Sequence, residues 1–418
     1  MRIDNEQKLC ILLIIGCLSS SIKLHAPKRD AKFWNIDRIL LGEPTGQWPN
    51  DAVNCLYVDN NDIVDGGKPN WNYWYRRDGM QTSTDDVIVA LIAAYPEIKA
   101  VKINGTSSLD LSSLTRSETK ATESAINTYV DLGCGIGSTL LLVANVLHPK
   151  KISLGVEAQE QSASLLRRTI FELPVGVPYI SVIHRDLREL PELNSKTNPD
   201  RSEGVGVKEI DFESDSHDLK PDNQIDSIKQ NQLNGRCDLI TANPPYAPLQ
   251  SGTLCKDAQR RSARFELRGG VEDYLIVAKS LLAPEGRFIL AFWSRDHERV
   301  RKAVRSAELR ITRRFDVLMG QSGRTLPHLS VYDIRPIHHT SSEFESDSTK
   351  NSSSSPRGES DPNSSSGSRS SNDESEVFQL DITRDPISGG LSENYELIKK
   401  LLKCANRPLK PKRSRNSS

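Results

Sequence analysis

Apolar and polar positions alternate along the middle of the chain with two different periods. Short apolar runs bounded by polar or turn residues predict strands at Ile126–Leu132, Lys151–Val156, Tyr179–Ile183, Cys237–Ala242, Arg287–Phe292 and Ile311–Leu318. Between them, apolar residues recur at the spacing of a helix face. They predict helices over Ser138–His148, closed by Pro149, and over Gln159–Phe171, Val271–Leu282 and Asp296–Ser306. Strands separated by helices of this length predict an α/β fold, a doubly wound and mostly parallel sheet with right-handed crossovers.

Two stretches break the pattern. Residues 194–236 are polar and acid-spotted, and residues 340–376 are Ser-rich. Neither carries enough apolar surface to offset the entropy of ordering it, so both read as flexible insertions. The predicted organisation is therefore a possible leader over 1–30, an N-terminal extension over 31–125 and a core over 126–339 holding the first insertion. The Ser-rich insertion, a C-terminal strand and helix over 377–406 and a basic tail over 407–418 follow.

Composition narrows the picture. Of 418 residues, 36% are hydrophobic, and 55 basic side chains balance 55 acidic ones. Net charge supplies no attraction to nucleic acid, so any phosphate binding has to come from local basic patches. The seven cysteines, Cys10, Cys17, Cys55, Cys134, Cys237, Cys255 and Cys404, are odd in number and form no C-x-x-C pair. They argue against a disulfide framework or a zinc ribbon and for a reducing compartment, with no metal expected. The apolar run Leu9–Leu18 is too short to span a bilayer, which needs about 20 residues, but suits the apolar part of a leader. No stable membrane insertion is expected, and the reading is intracellular, in the cytoplasm or an organelle such as a plastid or mitochondrion.

The first chemical signal is Val130-Asp131-Leu132-Gly133-Cys134-Gly135-Ile136-Gly137, at the exit of one strand and the start of a helix. Glycines there let the backbone turn tightly and approach a ligand, while the helix start offers unpaired N–H groups. Glu157 ends the next strand about 20 residues later, where a carboxylate accepts both hydroxyls of a ribose. A nucleoside-type cofactor is expected. The third glycine comes one residue too early for the G-x-G-x-x-G of dinucleotide folds. The D-L-G-x-G-x-G form resembles motif I of class I S-adenosylmethionine (AdoMet) methyltransferases, a Rossmann-like fold. The resemblance implies that Gly133, Gly135 and Gly137 pass beneath the methionine part, that Glu157 binds the ribose and that Asp131 lies near the methionine amine. It also implies that Asp186, in His184-Arg185-Asp186-Leu187, meets the adenine amine, although a carboxylate there can equally cap the following turn.

The second signal is Asn243-Pro244-Pro245-Tyr246 at the end of the Cys237–Ala242 strand. Two prolines stiffen the backbone and remove N–H donors, leaving carbonyls as acceptors. The Asn243 amide oxygen and the Pro244 carbonyl suit the two N–H bonds of an amine on an sp² carbon. Tyr246 offers a stacking face for a base turned out of its helix or loop. N-P-P-Y resembles motif IV of amino-methyltransferases acting on adenine N6, guanine N2 or glutamine amide. The segment Arg77–Ile88, with Thr84-Asp85 before aliphatic residues, resembles the opening of bacterial tRNA(Val) adenine-N6 methyltransferases. Gly323–His328 and the strand Phe378–Ile382 followed by Leu391–Tyr395 resemble later parts of that family. The stretch 51–75, with Trp71 and Trp74, matches nothing in it and reads as core.

After motif IV, Lys256, Arg260, Arg261, Arg264 and Arg268 outnumber Asp257 and Glu266 and are expected to face RNA phosphates. A second cluster, Arg295, Arg299, Arg301, Lys302 and Arg305, is left open. The leading expectation is an AdoMet-dependent methyltransferase acting on a nucleobase amine, adenine N6 in tRNA, with tRNA as partner. Its enzyme rival is a glutamine N5-methyltransferase of the release-factor type, but Lys32–Gly79 lacks the long helical period of that family's N-terminal domain. A catalytically silent RNA-binding protein of the same fold is the third reading, and the intact glycines and Asn243 count against it.

Overall fold

The computed structural model describes residues 51–58, 71–103, 106–114, 126–173, 180–190, 233–320, 326–337, 375–384 and 390–404. The expected leader, the basic tail, nearly all of both insertions and Gly323–Thr325 lie outside the described residues.

The elements follow the expected alternation. They are β1 (Ala52–Val58), β2 (Trp71–Arg76), α1 (Thr84–Ala94), β3 (Ala100–Ile103), β4 (Thr106–Leu109), β5 (Thr128–Leu132), α2 (Ser138–Leu147), β6 (Ile152–Glu157), α3 (Glu160–Phe171) and β7 (Ile180–His184). Then come β8 (Cys237–Ala242), α4 (Ala258–Arg264), α5 (Val271–Leu281), β9 (Leu282–Trp293), α6 (His297–Ser306), β10 (Leu309–Gly320), β11 (Leu329–Pro336), β12 (Glu376–Thr383) and α7 (Glu393–Leu402). A ten-stranded sheet runs β3-β4-β12-β10-β11-β9-β8-β5-β6-β7, and β1 and β2 form a separate antiparallel hairpin. The pairings β7–β6, β6–β5, β5–β8, β8–β9 and β10–β12 are parallel, whereas β11 runs antiparallel to both β9 and β10. This is the expected Rossmann-like, mostly parallel α/β sheet.

Burial on both faces explains the strand composition. Every residue of β5 is buried, as a parallel strand covered by helices on both sides requires. Its side chains alternate. Tyr129 enters the cluster with α1, α2, α3 and α7, and Val130 and Leu132 enter the opposite cluster with α5 and α6. Helix α1 is apolar nearly all round, and each residue from Val87 to Ala94 is buried, which marks a helix enclosed by protein. Helix α6 shows the opposite pattern and buries Val300, Ala303 and Val304 beneath a charged outer face.

Besides α1, β3, β4 and α4, for which no element was expected, three features depart from the expectations. Strand β11 was not anticipated, because Asp333 and Arg335 interrupt its apolar run. Asp333 is fully buried, and it is matched by Arg287 at 3.1 Å and Arg313 at 2.7 Å. Those guanidiniums also donate to the carbonyls of Ile92, Ala93 and Pro96, tying the end of α1 to the sheet. Leu233–Arg236, the end of the first polar stretch, dock on the end of α5, with Leu233 buried and Arg236 N–H donating to the Leu281 carbonyl. The hairpin β1–β2 arises where no strand was expected. Trp71 is buried in the core, and Trp74 rests on α3, its indole N–H donating to Glu172 at 2.9 Å.

Candidate active site

A parallel sheet leaves a crevice where the chain reverses its order of strand addition. Here β5 pairs with β6 on one side and β8 on the other, and a cavity of about 380 Å³ opens beyond their carboxyl ends. It is lined by Asp131, Gly133, Gly135, Glu157 and Asp186, and by Asn243, Pro244 and Tyr246. The two motifs, distant in sequence, thus share one cavity. Gly137 does not line it.

The turn from β5 to α2 explains the glycines. Gly135 has φ +58, and a Cβ there would meet nothing within 4 Å, so its backbone faces open space. Gly137 has φ +87, and a Cβ would come within 2.4 Å of Leu166 Cδ1, so this glycine serves close packing of the turn on α3. Glu157, buried at the end of β6, steadies the turn from the other side. Its Oε2 accepts from Gly135 N–H at 2.8 Å and its Oε1 from Gln159 N–H at 2.6 Å. Burial pushes this carboxyl up, against the pull of those N–H groups and of Arg268.

Asp131 is also buried. Its Oδ1 accepts from the Thr241 hydroxyl at 2.6 Å, and its Oδ2 has no hydrogen-bond partner. Burial pushes the carboxyl up to about 8. Asp186 is a cap as well as a lining residue. Arg188 N–H donates to its Oδ1 at 3.1 Å, and the Arg188 guanidinium reaches its Oδ2 at 2.7 Å. That guanidinium holds the Asp186 carboxyl below its ordinary value.

At the other end, the start of α1 lies against the Asn243–Tyr246 turn. Asn243 Nδ2 donates to Asp86 Oδ1 at 2.7 Å. The Tyr246 hydroxyl bonds to Asn243 Oδ1, and Asp85 Oδ2 is a second acceptor for it at 3.2 Å. Burial, with the charge of Asp86 beside it, pushes the Asp85 carboxyl up to about 6. The Tyr246 ring packs edge-on against Phe292 with centroids 5.4 Å apart and at a tilt against Trp293, 5.7 Å away. The Arg295 guanidinium lies 3.8 Å over the Trp293 ring.

The chain after the turn folds back over the cavity. Gln259, buried on α4, donates to Ser162 Oγ and accepts from Met80 N–H, both at 3.0 Å. Arg76 pairs with Asp257 at 2.8 Å and fixes the start of the same helix. This divides the five basic residues expected to face RNA: Arg264 and Arg268 line the cavity, while Lys256, Arg260 and Arg261 do not. In the second basic cluster, Arg299 is paired with Glu266 and Glu272, and Arg301 with Glu298. His328 lines the cavity beside an exposed Leu326.

Sequence reasoning singled out Asp85 within the Arg77–Ile88 segment but gave no role to Asp86, Tyr274 or Trp293, all of which line the cavity. A signal for Asp86 was present, because Ser83-x-x-Asp86 before an apolar run is a capping box. Tyr274 and Trp293 carried none, since an aromatic residue on a buried helix or strand end reads as core. Among the described residues, no group of three or more His, Cys, Asp or Glu is placed to hold a metal ion, and no helix is long and apolar enough to cross a membrane.

No family model matches the sequence, and no curated protein matches it. Solved structures do resemble the fold. A predicted O-methyltransferase from Agrobacterium tumefaciens is 14% identical, with 66% of this chain and 90% of that chain covered and a TM-score of 0.37. A TehB-like SAM-dependent methyltransferase from Corynebacterium glutamicum is 14% identical over 51% of this chain and 81% of that one, with a TM-score of 0.27. TrmN from Thermus thermophilus is 17% identical over 51% of this chain and 44% of that one, with a TM-score of 0.28.

Proposed function

We propose that this protein is an AdoMet-dependent methyltransferase that modifies an exocyclic amine of a nucleobase, adenine N6 in tRNA being the leading substrate. The observation that carries the reading is the meeting of two half-sites in one cavity. One presents a buried, unpartnered carboxylate oxygen on Asp131 beside the open backbone of Gly135, and the other presents Asn243, Pro244 and Tyr246.

The residues present fit the cofactor. The free Asp131 oxygen suits a primary ammonium, and Gly135 leaves room for a ligand against the backbone. Each Glu157 oxygen, already taking one N–H, keeps a lone pair for a ribose hydroxyl. Asp85, Asp86 and Asp131 all line the cavity and make it suited to a cation. Bound there, AdoMet supplies a methyl group activated on a sulfonium.

The chain's own residues do the rest. The Asn243 amide oxygen and the Pro244 carbonyl accept the two N–H bonds of the amine, which draws its lone pair out of conjugation with the ring. Tyr246 and Trp293 supply aromatic surface for a planar base, with Arg295 stacked on the outer ring. Arg264 and Arg268 at the cavity, with Lys256, Arg260 and Arg261 on the adjoining segment, supply positive charge for a phosphate backbone.

The test is transfer of labelled methyl from AdoMet to purified total tRNA, followed by nucleoside mass spectrometry. N6-methyladenosine is expected. Label in a release-factor protein offered in parallel, with none in RNA, would move the assignment to glutamine. Label in neither would refute the reading for these substrates.

A further inference from the structure

An amide side chain has an acceptor oxygen and a donor NH2 of nearly equal size, so a half-turn about its last bond exchanges them. Asn243 can present its oxygen to an amine only if something forbids that half-turn. Asp86 is so placed. Its Oδ1 accepts from Asn243 Nδ2 at 2.7 Å, and reversing the amide would set an oxygen against a carboxylate. The Tyr246 hydroxyl on the other side does not choose between the two, because a hydroxyl both donates and accepts.

Asp86 is itself held. Its Oδ2 accepts from Ser83 N–H at 2.8 Å, and its own N–H donates to Ser83 Oγ at 3.3 Å, in the capping box that opens α1. The helix behind it is buried from Val87 to Ala94. The carboxylate is therefore anchored by backbone and core, and its orientation passes to the amide.

We propose that Asp86 is a positioning residue for transfer to the amine, keeping the Asn243 oxygen turned toward it; the proposal rests on the reading above. Asp85 has a complementary part. Tyr246 has one hydroxyl proton and two acceptors, Asn243 Oδ1 and Asp85 Oδ2. When an amine takes the Asn243 oxygen, the phenolic proton turns to Asp85, and no acceptor or donor is left without a partner.

A reciprocal exchange tests this. Asp86→Asn frees the amide of Asn243 to turn, and Asn243→Asp sets two carboxylates against each other. In the double variant Asp86→Asn/Asn243→Asp, the new amide at 86 donates to the new carboxylate at 243, whose second oxygen again faces the amine. Each single variant should lose roughly tenfold or more in kcat, with KM for the nucleic acid changed far less, and the double variant should regain most of the loss. Thermal melts and calorimetric AdoMet binding on all four proteins separate folding and cofactor affinity from chemistry. A role in capping or in cofactor binding alone would make the two losses add. The proposal is overturned if Asp86→Asn keeps wild-type kcat, or if the folded, AdoMet-binding double variant is no better than the poorer single. Either result with an active wild type refutes the positioning role alone. A wild type that binds AdoMet but methylates no amine refutes the functional reading, and this proposal with it.

Discussion

Thr241 donates its hydroxyl to one oxygen of Asp131, 2.6 Å away, and the other oxygen of that carboxylate is buried without a partner. An arrangement of this kind is costly while the site holds no cation, and burial accordingly raises the Asp131 carboxyl from 3.8 to about 8. A carboxyl raised in the fold stays protonated there over a range in which the unfolded chain has already lost its proton. Its contribution to stability is therefore complete below its ordinary value and is lost as pH rises toward about 8. The ligand-free protein should melt at progressively lower temperature across that window. Asp131→Asn should flatten the profile, and differential scanning calorimetry with pH checks both. An equally steep profile in the variant would remove Asp131 as the cause.

Asn243→Ala should abolish the acceptor for the amine and leave the cofactor half-site intact. A kcat loss on the order of 100-fold or more is expected, the scale of removing one preorganised hydrogen-bonding group from a reaction centre. The AdoMet dissociation constant should be nearly unchanged. Surviving activity would show that the turn does not hold the amine.

Glu157→Ala removes a carboxylate that ties Gly135 and Gln159 together and faces the expected ribose. Hydrogen bonds to a charged group contribute about 1.5–3 kcal/mol, so affinity for AdoMet should fall roughly 10- to 100-fold. Isothermal titration calorimetry reads this directly, and an unaltered dissociation constant would refute the role.

Asp333→Asn tests the core instead of the site. The change leaves Arg287, which is buried, and Arg313 without their shared counter-charge. Breaking a buried pair from one side costs about 3–5 kcal/mol. Urea denaturation should show a loss of that order. Because Arg287 also holds the Ile92 and Ala93 carbonyls of α1 and Arg313 that of Pro96 just beyond it, the α1 end should exchange its amide hydrogens faster ahead of β5 and β6.

What the sequence determined by itself is whatever a few consecutive residues specify. The glycine turn from Gly133 to Gly137, the stiff Asn243–Tyr246 turn and the alternation of strands and helices are local, since backbone conformation and burial period are set within a few residues. Strand Cys237–Ala242 ends where its apolar run ends. Tertiary structure alone decided which distant groups meet. Asp86 reaches Asn243 across 157 positions. Arg264 lines the cavity while Arg260 and Arg261 on the same short helix do not. Strand β11 was hidden because Asp333 looks like a surface residue until Arg287 and Arg313 are brought against it. For Asn243 and Asp333 the deciding term is a hydrogen bond or charge that must be satisfied away from water, and its partner comes from elsewhere in the chain, where no local pattern can name it.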